Sequence, residues 1–161
     1  MVTAINLKNK ENEMNKIIEY KKEYIDQVVD LFLDVFENDP WNDNWPSNEK
    51  AKQYLLDIIK TPGFIGYLSF KEDELAGVLL GHIVKWWQGD EYFIKEFFVA
   101  PHYQGVGIGS EMIEHLQSEL KKADINTVVL LTENNAPAAE FYDKKGFKVS
   151  THTRFLYKNI D

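Results

Sequence analysis

The chain has 161 residues, 44% of them hydrophobic, which favours one domain with an apolar core. Its formal net charge of −8 disfavours nucleic-acid binding, because that needs a basic surface against the phosphates. It contains no cysteine, so disulfides, thiolate catalysis and cysteine-bound zinc are excluded, and no metal site is predicted. No apolar run reaches the about 20 residues that cross a bilayer and no secretory pattern opens the sequence, so we expect a cytoplasmic protein with no membrane partner.

The spacing of apolar residues predicts an α/β fold. Apolar residues three and four positions apart indicate helices, whereas alternating or short continuous apolar runs indicate strands. In chain order the predicted elements are a strand over 16–24, helices over 25–39 and 49–60, strands over 64–70, 75–87 and 92–100, a helix over about 107–123, a strand over 127–132, a short helix over 137–146, and a closing strand or tight pair of strands from Phe147. Short polar turns join the three middle strands and predict an antiparallel meander within a mixed sheet. The polar, aperiodic residues 1–13 are interpreted as an N-terminal tail, and residues 14–161 as a single domain.

The glycine-rich run QGVGIGS, Gln104–Ser110, lies between a predicted strand and a predicted helix. A helix N-terminus offers unpaired N–H groups and partial positive charge, and glycines let the backbone approach a ligand closely, so the run is typical of a phosphate site. It differs from the dinucleotide fingerprint, because Ser110 stands where the third glycine is needed, and from the nucleotide P-loop, because no lysine follows Gly109. A plain glycine turn before an ordinary helix is the alternative.

The residues FFVAPHYQGVGIGSEMIEHL resemble the central motif of the GNAT superfamily of acetyl-CoA-dependent N-acetyltransferases. The family signature [QR]-x-x-G-x-[GA] is met by Gln104, Gly107 and Gly109. A second family element, N-x-x-A-x-x-[FL]-Y-x-x-x-G-F, is met by Asn135, Ala138, Phe141, Tyr142, Gly146 and Phe147. The order of elements also matches from about residue 15 onward. The resemblance implies a mixed, mostly antiparallel sheet that is splayed at an acetyl-CoA cleft and flanked by about four helices.

The resemblance also implies which residues contact acetyl-CoA. Main-chain groups of Phe98 and Val99 would bond the pantetheine arm, and Asn135 would bond or orient it near the thioester. The short helix with Ala138, Phe141 and Tyr142 would line the same groove. The residues that would hold the pyrophosphate are Gln104, Gly105, Val106, Gly107, Ile108, Gly109 and Ser110.

Two residues are candidates for proton transfer. A phenol with a pKa near ~10 can protonate a departing thiolate, whose acid has a pKa near ~8.5, so Tyr142 is the candidate acid. Glu96 matches a position where several family members carry the base, and it stands among apolar residues of a predicted strand. The alternatives are a core tyrosine at Tyr142, a solvent-facing or lysine-paired Glu96, and a base supplied by His82 or by a carboxylate of the first two helices.

Tryptophans and carboxylates cluster in two stretches of the sequence that would meet the acceptor. Trp41, Asp43 and Trp45 lie in the link between the first two helices, and Trp86 lies at the end of a predicted strand. Aromatic faces and carboxylates suit a cation, so we expect a small cationic amine, as in aminoglycoside and polyamine N-acetyltransferases of the superfamily. Three alternatives remain: tryptophans that cap the core or form a homodimer contact, a protein or peptide acceptor, and a non-catalytic acyl-CoA-binding protein.

Overall fold

The computed structural model describes residues 15–160, and the predicted tail over 1–13 lies outside this range. The chain divides into two compact units, Met1–Leu131 and Thr132–Asp161, which are described one after the other. Within the described range, no helix is both long enough and apolar enough to cross a membrane.

The first unit is built on a five-stranded sheet in the order β1-β2-β3-β4-β5. The strands are β1 (Lys16–Glu19), β2 (Phe64–Lys71), β3 (Glu74–Val84), β4 (Glu91–Val99) and β5 (Thr127–Val129). The unit also contains the helices α1 (Ile25–Phe36), α2 (Asn48–Ile59) and α3 (Ile108–Lys122). Strands β1 to β4 are antiparallel neighbours, as the short turns predict, and β5 pairs parallel with β4 after the crossover through α3.

Helices α1 and α2 cover one face of the sheet, and α3 covers the other. Phe32 of α1 and Leu55 of α2 belong to one buried cluster with Val78 of β3. The neighbouring Gly77 points the opposite way, because a Cβ built on it would lie 2.6 Å from the sulfur of Met112 in α3. Since β3 is buried on both faces, its sequence is an almost continuous apolar run.

A bulge interrupts β4 at Lys95. Leu80 of β3 pairs with Glu96, but the next residue, Gly81, pairs with Ile94, so Lys95 is an extra residue in β4. A bulge of this kind shifts the alternation of side chains between the two faces of a sheet.

Because of this shift, the even-numbered side chains before Lys95 and those after it point to opposite faces of the sheet. A Cβ built on Gly81 would lie 2.6 Å from the ring of Tyr92, so Tyr92 lies on the α3 face. Phe98, by contrast, contacts Phe32 of α1 with ring centroids 5.6 Å apart. Without the bulge, even-numbered residues of β4 would share one face; with it, Glu96 turns to the side of α1 and α2.

Three strands are shorter than the sequence predicts, and one of them, β3, ends at Val84, where its pairing with β4 stops. Strand β1 ends at Glu19, and Lys22–Tyr24 forms a 3-10 turn before α1. Strand β5 ends at Val129, because it pairs with β4 only over Thr127–Val129. These differences arise because pairing, rather than apolarity, determines where a strand ends.

The second unit contains helix α4 (Pro137–Lys144), at the predicted place. Gly146 has a φ of +85°, and the N–H of Phe147 donates to the carbonyl of Tyr142 at 3.0 Å, a helix ending that needs a left-handed residue. The predicted closing strand is absent, since the described residues from Phe147 to Ile160 contain no strand. A strand requires a neighbour that bonds its N–H and C=O groups, and the apolar pattern of a segment does not show whether that neighbour exists.

Candidate functional site

The loop Gln104–Ser110 joins β4 to α3 through two glycines with left-handed backbone. Gly105 has a φ of +78° and Gly107 a φ of +100°, values that other residues rarely adopt. A Cβ built on either glycine would have no described heavy atom within 4 Å, and Val106 between them is exposed. The outer face of the loop is therefore open to a ligand.

The loop ends at the N-terminus of α3, where backbone donors are left over. Gly107 is the N-cap, and no side chain caps the helix. The N–H groups of Gly107, Ile108, Gly109 and Ser110 donate to no backbone acceptor among residues 15–160. These donors and the helix dipole place partial positive charge at the loop, which suits a phosphate. The side chain of Ile108 is buried and anchors the start of the helix.

Gln104 holds the loop against the end of β4. Its side-chain Nε2 donates to the carbonyl oxygen of Val99 at 3.0 Å. The backbone N–H of Ala100 donates to Ala76 at 2.8 Å, which keeps β4 paired with β3 up to the loop. The amide of Gln104 therefore positions the glycines relative to the sheet.

The register decides which main-chain groups of β4 point to the edge next to β5. Because Ala100 donates to β3, the alternation of an antiparallel ladder turns the main chain of Phe98 toward β3 and those of Phe97 and Val99 toward the other edge. β5 pairs with β4 at Glu91–Phe93 and does not reach Val99. The side chain of Phe98 is buried. This orientation suits the N–H of Val99 as a main-chain contact, since the Val99 carbonyl already accepts from Gln104.

Glu96 and Tyr54 form a hydrogen-bonded pair on the face of α1 and α2. The phenol of Tyr54, on α2, donates to Oε1 of Glu96. Burial raises the pKa of Glu96 to about 7; the hydrogen bond from Tyr54 and the charge of Lys95 lower it, and the charge of Asp43 raises it. Burial, followed by the Glu96 carboxylate, raises the pKa of the Tyr54 phenol. At neutral pH the carboxyl can therefore both accept and release a proton.

Aromatic rings surround this pair. The ring of Tyr54 lies 5.3 Å from that of Trp45 and 5.9 Å from that of Phe32, between ring centroids. Trp41 contacts Phe36 at 5.6 Å, and both tryptophans are partly buried against the apolar cluster of α1 and α2. The indole N–H of Trp45 is buried without a partner among the described residues.

The structure therefore brings Asp43 and Trp45 to Glu96, although the sequence placed them in separate groups. Asp43 is exposed, and its charge acts on both Tyr54 and Glu96. Tyr54 was missed in the sequence. The available signal was its place on the apolar stripe of α2, next to the buried Leu55, where a phenol needs a partner.

His82 and Trp86 lie elsewhere on β3 and beyond its end. His82 contacts Phe93 at 5.8 Å, and its Nδ1 is buried without a partner among the described residues. Burial and the charge of Lys95 lower the pKa of His82. Trp86 follows β3 in the loop to β4, and half of its surface is exposed.

The remaining predicted residues belong to the second unit. Asn135 is exposed before the start of α4, and Ala138, Phe141 and Tyr142 are partly buried on that helix. The ring of Tyr142 lies 5.4 Å from that of Phe141 and 5.2 Å from that of Phe147. Their roles stay predictions.

Comparison with known proteins gives a family match and a curated relative. The model of the Acetyltransferase (GNAT) family matches residues 25–147. Ribosomal protein bS18-alanine N-acetyltransferase of Escherichia coli (strain K12) is 36% identical over 73 residues, which make up 45% of this chain and 49% of that protein. The match thus spans about half the length of these curated relatives.

Solved structures share the fold. An aminoglycoside acetyltransferase from an uncultured soil metagenomic sample has a TM-score of 0.71 at 17% identity, covering 93% of this chain and 99% of that one. A predicted acetyltransferase with acetyl-CoA from Clostridium acetobutylicum has a TM-score of 0.67 at 16% identity, covering 89% and 96%. At these identities the likeness concerns the fold alone, and it confirms the predicted mixed, mostly antiparallel α/β architecture.

The family match covers most of the chain and includes both sequence motifs, the glycine loop Gln104–Ser110 and the segment Asn135–Phe147. The structure adds the strand, open loop and helix N-terminus that the first motif predicts. The resemblance found in the sequence is confirmed, and the chain belongs to the acetyltransferase (GNAT) family.

Proposed function

We propose that this chain transfers an acetyl group from acetyl-CoA to a primary amine. The observation that carries the proposal is the loop Gln104–Ser110, whose last four N–H groups lack backbone acceptors among residues 15–160 and whose outer face is open. Four such donors at a helix N-terminus fit a pyrophosphate.

The loop and the neighbouring edge of β4 would hold acetyl-CoA, with the N–H groups of Gly107–Ser110 on the pyrophosphate and the main-chain N–H of Val99 beside the pantetheine arm. Asn135, Ala138, Phe141 and Tyr142 stay proposed cofactor contacts on the family resemblance alone. When bound, acetyl-CoA supplies a thioester whose acyl carbon the amine attacks directly. A cytoplasmic location stays a prediction from the sequence.

Glu96 would take the proton of the acceptor amine at its carboxylate. Its pKa of about 7 leaves a substantial ionised fraction at neutral pH. The phenol of Tyr142 would hold the proton that the departing sulfur needs. An alkylammonium with a pKa near ~10.4 is almost fully protonated at neutral pH, so a base must remove its proton before the amine can attack.

We further propose that the acceptor is a small cationic amine. The support is the grouping of Asp43 and Glu96 with the rings of Trp45 and Tyr54. Carboxylates attract a cation, and aromatic faces stabilise it where it is partly desolvated. Trp41 and Trp86 would lie at the border of the site.

A second candidate acceptor is the α-amino group of a protein. The observation in its favour is the 36% identity with the alanine N-acetyltransferase of a ribosomal protein. A protein N-terminus and a small amine undergo the same reaction, so the loop and Glu96 serve both, and only the acceptor side distinguishes them.

A panel of acceptors tests these proposals. The purified chain is incubated with acetyl-CoA and one of four amines, and thiol release is followed: a polyamine, an aminoglycoside, an uncharged aromatic amine, or a peptide that begins with alanine. Release with only the first two supports a small cationic acceptor, and release with only the peptide supports the second candidate. Binding of acetyl-CoA without thiol release to any amine would instead indicate a non-catalytic acyl-CoA-binding protein.

A further inference from the structure

We propose that Tyr54 is a positioning residue for Glu96: its phenol donates to the carboxyl and fixes it in one orientation on the α1–α2 face. This inference rests on the proposed function, in which Glu96 takes the proton of the acceptor amine. It concerns a residue on a different element from either family motif.

The phenol of Tyr54 is positioned by helix α2 and by two neighbouring aromatic rings. Tyr54 lies within α2, whose first turn is capped by a hydrogen bond from the N–H of Lys50 to Oγ of Ser47 at 3.1 Å. Its ring is enclosed by Trp45 at 5.3 Å and Phe32 at 5.9 Å. A donor fixed in this way loses little conformational entropy when it bonds the carboxyl.

The carboxyl reaches the phenol because of the bulge at Lys95. The bulge turns Glu96 toward α2, where Tyr54 donates to its Oε1. The other oxygen, Oε2, is not bonded to Tyr54, and no hydrogen bond to it is present among the described residues. The pair thus leaves one carboxylate oxygen for a proton from the acceptor.

The charged and titratable groups around Glu96 act in opposite directions. Asp43, in the link between α1 and α2, raises the pKa of Glu96, whereas Lys95 of β4 and the hydrogen bond from α2 lower it. His82 of β3 is not among the groups that act on Glu96, and burial and the charge of Lys95 lower its own pKa. Helix α1 presents the ring of Phe32 to this site. Tyr54 is therefore the group whose removal leaves the carboxyl buried without a donor.

Tyr54→Phe removes the phenol oxygen and keeps the ring. The titration of Glu96 is followed by 13C NMR of labelled glutamate side chains, and its resonance is identified by its loss in Glu96→Gln. We expect the midpoint to rise from about 7 by about one pH unit, since each hydrogen bond to a carboxylate lowers its pKa by roughly that amount. Tyr20→Phe is the matched control, because the buried phenol of Tyr20 has no partner among the described residues, and it should leave the midpoint unchanged.

A second replacement at position 54 allows the test to be made even if Tyr54→Phe does not fold. 3-Fluorotyrosine at position 54 keeps the shape of the ring and donates a stronger hydrogen bond, so the Glu96 midpoint should fall. Opposite shifts in the two replacements support the proposal. A midpoint that does not move in the fluorinated protein, or that falls in Tyr54→Phe, would overturn it.

The pH profile of kcat separates this inference from the proposed function. If Tyr54 positions a catalytic base, the acid limb of the profile shifts upward in Tyr54→Phe by the same amount as the NMR midpoint. A midpoint that shifts while the profile does not would leave the Tyr54–Glu96 pair in place and refute Glu96 as the base. A protein with no transferase activity would still show the NMR shifts.

Discussion

Replacement of Gly107 by alanine tests whether the loop binds acetyl-CoA. Gly107 has a φ of +100° and caps α3, and a Cβ built on it would meet no described heavy atom within 4 Å. The substitution therefore causes no clash with residues 15–160. Its two expected effects are backbone strain and a methyl group on the outer face of the loop, where the phosphate would lie.

The backbone strain would arise at any position with left-handed backbone. The methyl group, by contrast, would obstruct phosphate binding only in this loop. Placing an L-residue in the left-handed region costs about 1–2 kcal/mol, which corresponds to a fall in Tm of roughly 2–8 °C for a chain of this size. Displacing the phosphate from even one N–H group removes a hydrogen bond to a charged group, worth about 1.5–3 kcal/mol. The Kd for acetyl-CoA should therefore rise at least about tenfold.

Gly89→Ala is the matched control. Gly89 also has a positive φ, of +132°, and also has open space where a Cβ would lie, but it is in the loop between β3 and β4. It should lower Tm without changing the affinity for acetyl-CoA.

Thermal unfolding with and without acetyl-CoA measures both effects. At a concentration of about 100 times the wild-type Kd, the ligand stabilises the wild type and Gly89→Ala by about 2.7 kcal/mol. A tenfold weaker Gly107→Ala would keep only about 1.4 kcal/mol of this stabilisation. Equal ligand-induced shifts in Gly107→Ala and the wild type would refute the assignment of the loop, and so would an equal loss in both variants.

Three further predictions concern the base, the acid and the sheet. Glu96→Gln should lower kcat by about 10²–10⁴-fold with unchanged acetyl-CoA affinity, and the wild-type kcat should fall as pH drops through the Glu96 pKa of about 7, because only the ionised form accepts a proton. Tyr142→Phe should lower kcat by a similar factor in steady-state assays, and unchanged turnover would exclude Tyr142 as the acid. Gly81→Ala should reduce the free energy of unfolding in urea by about 1–3 kcal/mol, because its Cβ would lie 2.4 Å from the carbonyl of Phe93 and 2.6 Å from the ring of Tyr92; wild-type stability in that variant would contradict this packing.

The grouping of Asp43, Trp45 and Glu96 defines the residues to vary in experiments on acceptor specificity. All three belong to the face of α1 and α2 rather than to the loop that would hold the cofactor. Substitutions there should change KM for the acceptor and leave the affinity for acetyl-CoA intact.

Contiguous features of this protein could be predicted from the sequence. The glycine loop, the helix after it and the second motif each lie within a short run of residues, so spacing alone revealed them. The meander was also predictable, because short turns between apolar runs allow few other connections. The closing strand was not, because a strand depends on a partner that its own residues do not specify.

The pairing of Glu96 with Tyr54 depends on the tertiary structure. In the sequence, Glu96 follows Tyr92 and Ile94 at strand spacing, which assigns all three to one face. The extra residue Lys95 reverses that assignment and brings Glu96 to Tyr54, which is remote in the sequence. Burial then raises the pKa of the carboxyl into the neutral range. The spacing of nearby residues predicts where the backbone would bind a phosphate. A shifted carboxyl pKa instead requires burial by parts of the chain that are distant in sequence, and that burial arises only when the sheet and helices pack.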